Sequence, residues 1–144
     1  MFQMQSLYPE ELVSPMREEL TSVGFQELKT TDEVDSILAN QQGTTLVVVN
    51  SVCGCAAGNA RPGVRMAMSH SVKPDQLTTV FAGVDREATE RARSYMLGYP
   101  PSSPSMALFK DGELVHFIPR LAIEGNMPEY IAADLKQAFD KYCK

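Results

Sequence analysis

The chemistry that this sequence offers most directly is that of two thiols, Cys53 and Cys55, separated only by Gly54. They follow an apolar run at 46–49 and precede small residues at 56–58, so we expect a strand to end and a helix to begin at the pair. The start of a helix presents unpaired backbone N–H groups and the positive end of the helix dipole. That setting favours a thiolate, which is the attacking form of cysteine.

The spacing suggests a different role for each thiol. Cys53 lies nearer the end of the strand and is the predicted nucleophile, whereas Cys55 lies further into the turn and is the predicted resolving thiol. In a regular helix, side chains two residues apart point about 200° away from each other. A disulfide between the two therefore requires the backbone to leave helical geometry, which Gly54 permits because it has no Cβ. The small ring would be strained and easily reduced.

The elements that must position this pair alternate between helix and strand. The pattern predicts strands over 45–50, 77–82, 106–109 and 114–118, and helices over 10–20, 31–42, 56–69 and 86–97 and from 128 onward. Strands separated by helices favour parallel pairing, and Asp111-Gly112 predicts a hairpin turn that adds an antiparallel edge. Pro15 and Pro62-Gly63 are expected to kink or break their helices. We therefore expect an α/β fold, a mixed and mainly four-stranded sheet with helices on both faces.

Composition narrows the class of function. The chain has 144 residues, which predicts a single domain over 1–144 with an N-terminal helical extension. Thirteen basic and eighteen acidic residues give a net charge of −5 without a basic cluster, so neither nucleic acid nor a membrane is an expected partner. The N-terminus lacks the features of a signal peptide, and three cysteines then indicate a reducing, cytoplasmic location.

A proline just before the third long strand is the second feature with chemical meaning. In redox folds with this order of elements, the loop before that strand carries a proline that faces the cysteines. A cis bond between Ser103 and Pro104 would leave backbone groups free to pair with a substrate chain. We predict Gly54, Ser103 and Pro104 as substrate-binding positions beside the catalytic Cys53 and Cys55.

Several segments together resemble one known family, the bacilliredoxins, whose fold is thioredoxin-like. The resemblance is carried by NSVCGCAAG at 50–58 with Arg61-Pro62 after it, PSSPSMAL at 101–108, VHFIPR at 115–120 and PMREEL at 15–20. It implies a thiol–disulfide oxidoreductase that removes bacillithiol from mixed disulfides on cytosolic proteins. General protein disulfide isomerase or reductase activity is the alternative that the resemblance leaves open. No bound cofactor is implied, because the sulfur atoms carry the electrons.

Other readings of the cysteines and histidines are weaker. A metal or iron–sulfur carrier could use the same pair, but a zinc site with His70 or His116 would need ligands from scattered elements. Two inert core cysteines are the plainest alternative. We expect His70 to complement a helix end, His116 to pack or lie at an edge, and Cys143 to be a mobile and dispensable free thiol.

Overall fold

A computed structural model describes residues 4–144 of the chain. The strands in this part of the chain are β1 (Gln26–Glu27), β2 (Thr44–Asn50), β3 (Gln76–Phe81), β4 (Ser105–Lys110) and β5 (Glu113–Ile118). The helices are α1 (Glu10–Thr21), α2 (Thr31–Leu38), α3 (Arg61–Ala67), α4 (Arg86–Ser94), α5 (Arg120–Ile123) and α6 (Pro128–Tyr142), with a π-helical segment (Ala56–Ala60) that leads directly into α3.

The strands form one mixed sheet in the order β1-β3-β2-β4-β5. The first three of these are parallel to one another, and β4 and β5 are added antiparallel. The predicted α/β architecture is confirmed, but the expected four strands are five. The additional strand, β1, has only two polar residues and pairs with Thr78 and Thr79, so it carries no hydrophobic pattern that the sequence could reveal.

Strand β2 lies at the centre of the sheet and is buried along its whole length. Leu46 and Val48 belong to the core that packs under α3 and α6, while Val47 and Val49 belong to the core under α2 and α4. Side chains of a strand alternate between the two faces of its sheet. This is why an unbroken apolar run predicts a strand that is covered on both sides.

The helices pack closely where their surfaces have small residues. A Cβ on Gly63 of α3 would lie 2.8 Å from Cγ2 of Ile131 in α6, so only glycine allows this approach. The irregularity expected at Pro62-Gly63 appears as the change from π-helical to α-helical turns at Arg61. Helix α1, by contrast, continues through Pro15, so of the kink or break predicted there the break does not occur.

Local signals elsewhere were accurate. Thr30 and Glu33 form the predicted capping box at the start of α2, which ends at Leu38 rather than at Gly43. Asp111 and Gly112 both have positive φ, at 49° and 83°, as a type I′ hairpin turn requires. The turn at Asp111-Gly112 connects β4 to β5.

Candidate active site

Cys53 lies where β2 has ended and the helical segment begins. Its carbonyl oxygen accepts hydrogen bonds from the N–H groups of Ala56 at 3.1 Å and Ala57 at 3.2 Å. The backbone N–H groups of Cys55 and Ala56 lower the pKa of the Cys53 thiol. Cys53 therefore occupies the helix start that the sequence predicts.

The two sulfur atoms are close enough to react with each other. Sγ of Cys53 lies 2.8 Å from Sγ of Cys55, and both are free thiols. They meet because Cys53 precedes the helical turns, whereas Cys55 has right-handed helical backbone angles. Both side chains are half-buried.

Gly54 does not lie at a position that requires glycine. It does not adopt a positive φ, and a Cβ built on it would meet no described atom within 4 Å. The dithiol form therefore does not need glycine for its backbone conformation. Gly54 is exposed, and the surface beside the two sulfur atoms is open at this residue.

The surroundings push the two thiol pKa values in opposite directions. Partial burial raises the pKa of Cys53, but hydrogen bonds from Cys55, from the Ser51 hydroxyl and from backbone N–H groups outweigh it and leave that pKa below its ordinary value. The pKa of Cys55 is raised by burial and by the neighbouring Cys53. At neutral pH the negative charge therefore resides preferentially on Cys53.

Ser51 and Arg61 support the turn that contains Cys53, although the sequence did not predict a function for either residue. The hydroxyl of Ser51 accepts the N–H of Cys53 at 3.1 Å. The guanidinium of Arg61, only 1% exposed, donates from Nη1 to the Ser51 carbonyl at 2.7 Å and to Oδ1 of Asn50 at 2.9 Å. A fully buried arginine is rare unless it is paired. Its place with Pro62, shortly after the NSVCGCAAG segment that carries the family resemblance, was the available signal.

Arg61 is also paired with a carboxylate of α1. Its Nε lies 3.2 Å from Oε1 of Glu19, although this nitrogen has no well-directed hydrogen-bond acceptor among the described residues. The short distance indicates attraction between the opposite charges, which does not depend on hydrogen-bond angle. The buried cation therefore links α1, the end of β2 and the turn that carries Cys53.

The proline loop lies at the same edge of the sheet. The Ser103–Pro104 peptide bond is cis, as predicted, and Pro104 is buried. Ser105 at the start of β4 pairs with Val49 near the end of β2, so Pro104 lies beside the end of β2 that leads to Cys53. The Ser103 carbonyl accepts a hydrogen bond from Nη1 of Arg120 at 3.2 Å.

The two histidines each contact an aspartate. Nε2 of His70 is 2.9 Å from Asp140, and Nε2 of His116 is 2.9 Å from Asp134. Within residues 4–144 there is no group of three or more histidine, cysteine or acidic side chains placed to hold a metal ion. In the same range, no helix is both long and apolar enough to span a bilayer.

Cys143 is not the mobile thiol expected from its position. It is half-buried against the core under α6, and the Thr44 side chain, at the start of β2, lowers the pKa of its thiol against the larger effect of burial. Cys53 follows the other end of the same strand. Seven residues at about 3.3 Å each separate the two ends by roughly 20 Å, so Cys143 is not part of the Cys53 site.

Comparison of the sequence with known proteins places the chain among relatives. A sequence family described as disulphide isomerase matches residues 8–143. A bacilliredoxin of Koribacter versatilis is 56% identical over 137 residues, covering 95% of this chain and 94% of that protein. Another from Cytophaga hutchinsonii is 55% identical over 135 residues, covering 94% and 99%.

Solved structures give the fold independently. A mutant thioredoxin from Halobacterium salinarum matches with a TM-score of 0.57 at 17% identity, over 85% of this chain and 93% of that one. Mitochondrial thioredoxin 3 from Saccharomyces cerevisiae matches with a TM-score of 0.54 at 17% identity, over 85% and 98%. The chain belongs to the bacilliredoxin family and has a thioredoxin-like fold, as the sequence predicted, and it is a thiol–disulfide oxidoreductase.

Proposed function

We propose that this chain removes bacillithiol, or a similar low-molecular-weight thiol, from mixed disulfides on cytosolic proteins. The observation that carries the proposal is the pair of free sulfur atoms 2.8 Å apart, of which only Cys53 has a lowered pKa. Cys53 is thus suited to attack first, and Cys55 is suited to act in the second step. The names of the relatives support the choice of bacillithiol as the thiol.

The first step transfers the small thiol to the protein. The Cys53 thiolate attacks the sulfur of the small thiol within the mixed disulfide, and the substrate protein leaves as a thiolate. One disulfide bond forms and one breaks, so there is no net oxidation. The substrate cysteine is restored, and Cys53 carries the small thiol.

The second step releases the small thiol. Deprotonated Cys55 attacks the Cys53 sulfur, and the small thiol departs as a thiolate that takes up a proton from solvent. The product is a Cys53–Cys55 disulfide, which two electrons from an external thiol reductant convert back to the dithiol. The close approach of the two sulfur atoms favours this intramolecular step.

Substrate binding is proposed at Gly54, Ser103 and Pro104. Gly54 leaves the surface beside the sulfur atoms open, and Pro104 lies next to the end of β2 that leads to Cys53. A mixed disulfide must approach Cys53 along the line of its own S–S bond. An unobstructed surface at Gly54 meets that requirement.

General disulfide reduction or isomerisation is the second candidate. The family description, disulphide isomerase, is the observation that favours it. In either reaction Cys53 first attacks a disulfide between two protein cysteines. In isomerisation the substrate thiol displaces Cys53 again without the participation of Cys55, whereas in reduction Cys55 attacks Cys53 and releases the substrate as a dithiol. Both reactions differ from the first candidate in the substrate that Cys53 meets, and isomerisation differs also in not needing Cys55.

A trapping experiment separates them. The Cys55→Ser protein is given a bacillithiolated model protein and, in parallel, a disulfide-bonded one, and the mass of the peptide that contains Cys53 is measured. We expect bacillithiol on Cys53, and faster turnover of the first substrate by the unmodified protein. Faster turnover of the second substrate, with no bacillithiol on Cys53, would contradict the proposal. The Cys143→Ser protein is the matched control for loss of a thiol.

A further inference from the structure

Arg120 is a cation at the active-site edge that has no role in the two steps described above. It begins α5, two residues after Ile118 of β5, which pairs with Met106 near the start of β4. Its backbone N–H donates to the Ser102 hydroxyl at 3.3 Å, and its Nη1 donates to the Ser103 carbonyl at 3.2 Å. Arg120 is therefore fixed to the loop that contains Pro104.

A second contact connects the end of α5 to the helical segment that follows the cysteines. The side-chain amide of Asn59, four residues after Cys55, donates to the carbonyl of Asn126, which follows α5. Arg120 is also held by Glu124, the residue that follows α5, through Nε at 3.0 Å and Nη2 at 2.9 Å. The guanidinium is thus held on two sides and lies within Coulombic range of both thiols.

We propose that Arg120, held on the Ser103 carbonyl at the active-site edge, promotes the second step of exchange because its positive charge stabilises the thiolate of the resolving residue, Cys55. The inference rests on the proposed two-step exchange and deepens it. Before the reaction, the Cys53 thiolate opposes loss of a proton from Cys55. Once Cys53 is bonded to the small thiol, that negative charge is gone, and Cys55 has to ionise to attack.

The charges that then face Cys55 can be named. Burial and the carboxylate of Glu124 raise the pKa of Cys55, whereas the guanidinium of Arg120 lowers it. Cys53, now uncharged, no longer contributes a charge, and the buried cation Arg61 acts on the preceding turn through Ser51. Arg120 is therefore the group that offsets burial at the moment when Cys55 has to become a thiolate.

The two steps can be followed separately with 2,2′-dipyridyl disulfide, a neutral probe that gives Arg120 no carboxylate to bind. Cys53 releases the first pyridine-2-thione and retains the other half as a mixed disulfide. Cys55 then attacks Cys53 and releases the second thione. Stopped-flow absorbance resolves the two releases across a pH series, and the Cys55→Ser protein identifies the first.

We expect Arg120→Gln to slow the second release at neutral pH by about three- to tenfold, and the first by less than about twofold, because the charge is partly exposed and screened. The second-release profile should move to higher pH and reach the same rate as the unmodified protein once Cys55 is fully ionised. Arg120→Lys should restore most of the profile, and Glu124→Gln should move it to lower pH.

Arg91→Gln is the matched control, because Arg91 has a side chain 47% exposed, like the 43% of Arg120, and pairs with Asp35 on α2. It should change neither release. An unchanged second release in Arg120→Gln, or an equal slowing of both releases at every pH, would overturn the inference. If the unmodified protein releases only one thione, the resolving role of Cys55 fails instead, and with it the proposed function.

Discussion

The two ends of strand β2 place a thiol in opposite electrostatic settings. At the carboxyl end, Cys53 lies at the start of a helical segment and its pKa is lowered. At the amino end, Cys143 lies at the end of α6, next to Thr44, and burial raises its pKa. Both thiols are half-buried, and each has a hydroxyl within hydrogen-bond reach.

The difference between the ends shows which feature makes a thiol reactive. A hydroxyl partner is common to both, so it cannot by itself explain opposite pKa shifts. Cys53 has the N–H groups of a helix start and a second thiol, whereas Cys143 has the carboxyl end of a helix and the nearby carboxylate of Asp75. At Cys53, the N–H groups of a helix start and the second thiol outweigh burial, whereas at Cys143 burial prevails and raises the pKa.

The largest expected effect is on Cys53, the proposed nucleophile. Cys53→Ser should lower turnover of a bacillithiolated model protein by at least about a hundredfold, because a hydroxyl does not ionise at neutral pH and cannot form the mixed disulfide. Steady-state turnover at saturating reductant measures it. Retention of more than a tenth of the activity would mean that Cys55 or Cys143 attacks the substrate, and the contrast between the ends of β2 would fail.

The next effect is on stability and concerns the buried support of the reactive end. Arg61→Met removes the buried cation that donates to the Ser51 carbonyl and to Oδ1 of Asn50, so we expect a loss of about 2 to 4 kcal/mol in the free energy of unfolding. Urea denaturation measures this loss. Arg65→Met on the same helix removes an exposed arginine and should cost less than about 1 kcal/mol. Equal losses of free energy in the two variants would show that the burial of Arg61 does not contribute to stability.

A smaller effect is expected when each hydroxyl is removed. Ser51→Ala should raise the pKa of Cys53, because a donor to its thiolate is lost, and should slow its alkylation at neutral pH by about three- to tenfold. The rates should converge at high pH, where Cys53 is fully ionised. Thr44→Val should instead raise the pKa of Cys143 and leave Cys53 unchanged. A change at Cys53 in Thr44→Val would mean that the two ends are coupled.

The smallest effect is expected at the amino end of β2. Cys143→Ser should leave turnover within about twofold of the unmodified protein, because its site lies roughly 20 Å from Cys53 along the strand. Turnover under the conditions used for Cys53→Ser provides the comparison. A loss as large as that of Cys53→Ser would make Cys143 a participant in the reaction.

Local patterns predicted most of the fold and the position of the pair. The buried run of β2, the capping box at Thr30 and the turn at Asp111-Gly112 depend on residues close together in sequence, so the chain itself reveals them. Cys53 at a helix start follows from the same strand-to-helix boundary. Strand β1 escaped notice because two polar residues carry no periodicity.

The support around the pair depends on contacts that no local pattern contains. Arg61 is buried because its partners come from α1 and from the end of β2. Arg120 reaches the site because β5 ends beside the start of β4. Cys143 packs near Thr44, almost a hundred residues earlier, which its place near the chain end could not show. Such contacts appear only after the sheet has brought distant segments together.

The most direct test of the account is the rate at which each of the three thiols is alkylated as the pH rises. The reduced protein is pulsed with iodoacetamide, and peptide mass spectrometry follows Cys53, Cys55 and Cys143 separately. We predict that Cys53 reacts first, with a midpoint below the value of about 8.5 for a free cysteine, and that Cys55 and Cys143 titrate above it. A midpoint for Cys55 or Cys143 below that of Cys53 would contradict the assignment of Cys53 as the nucleophile.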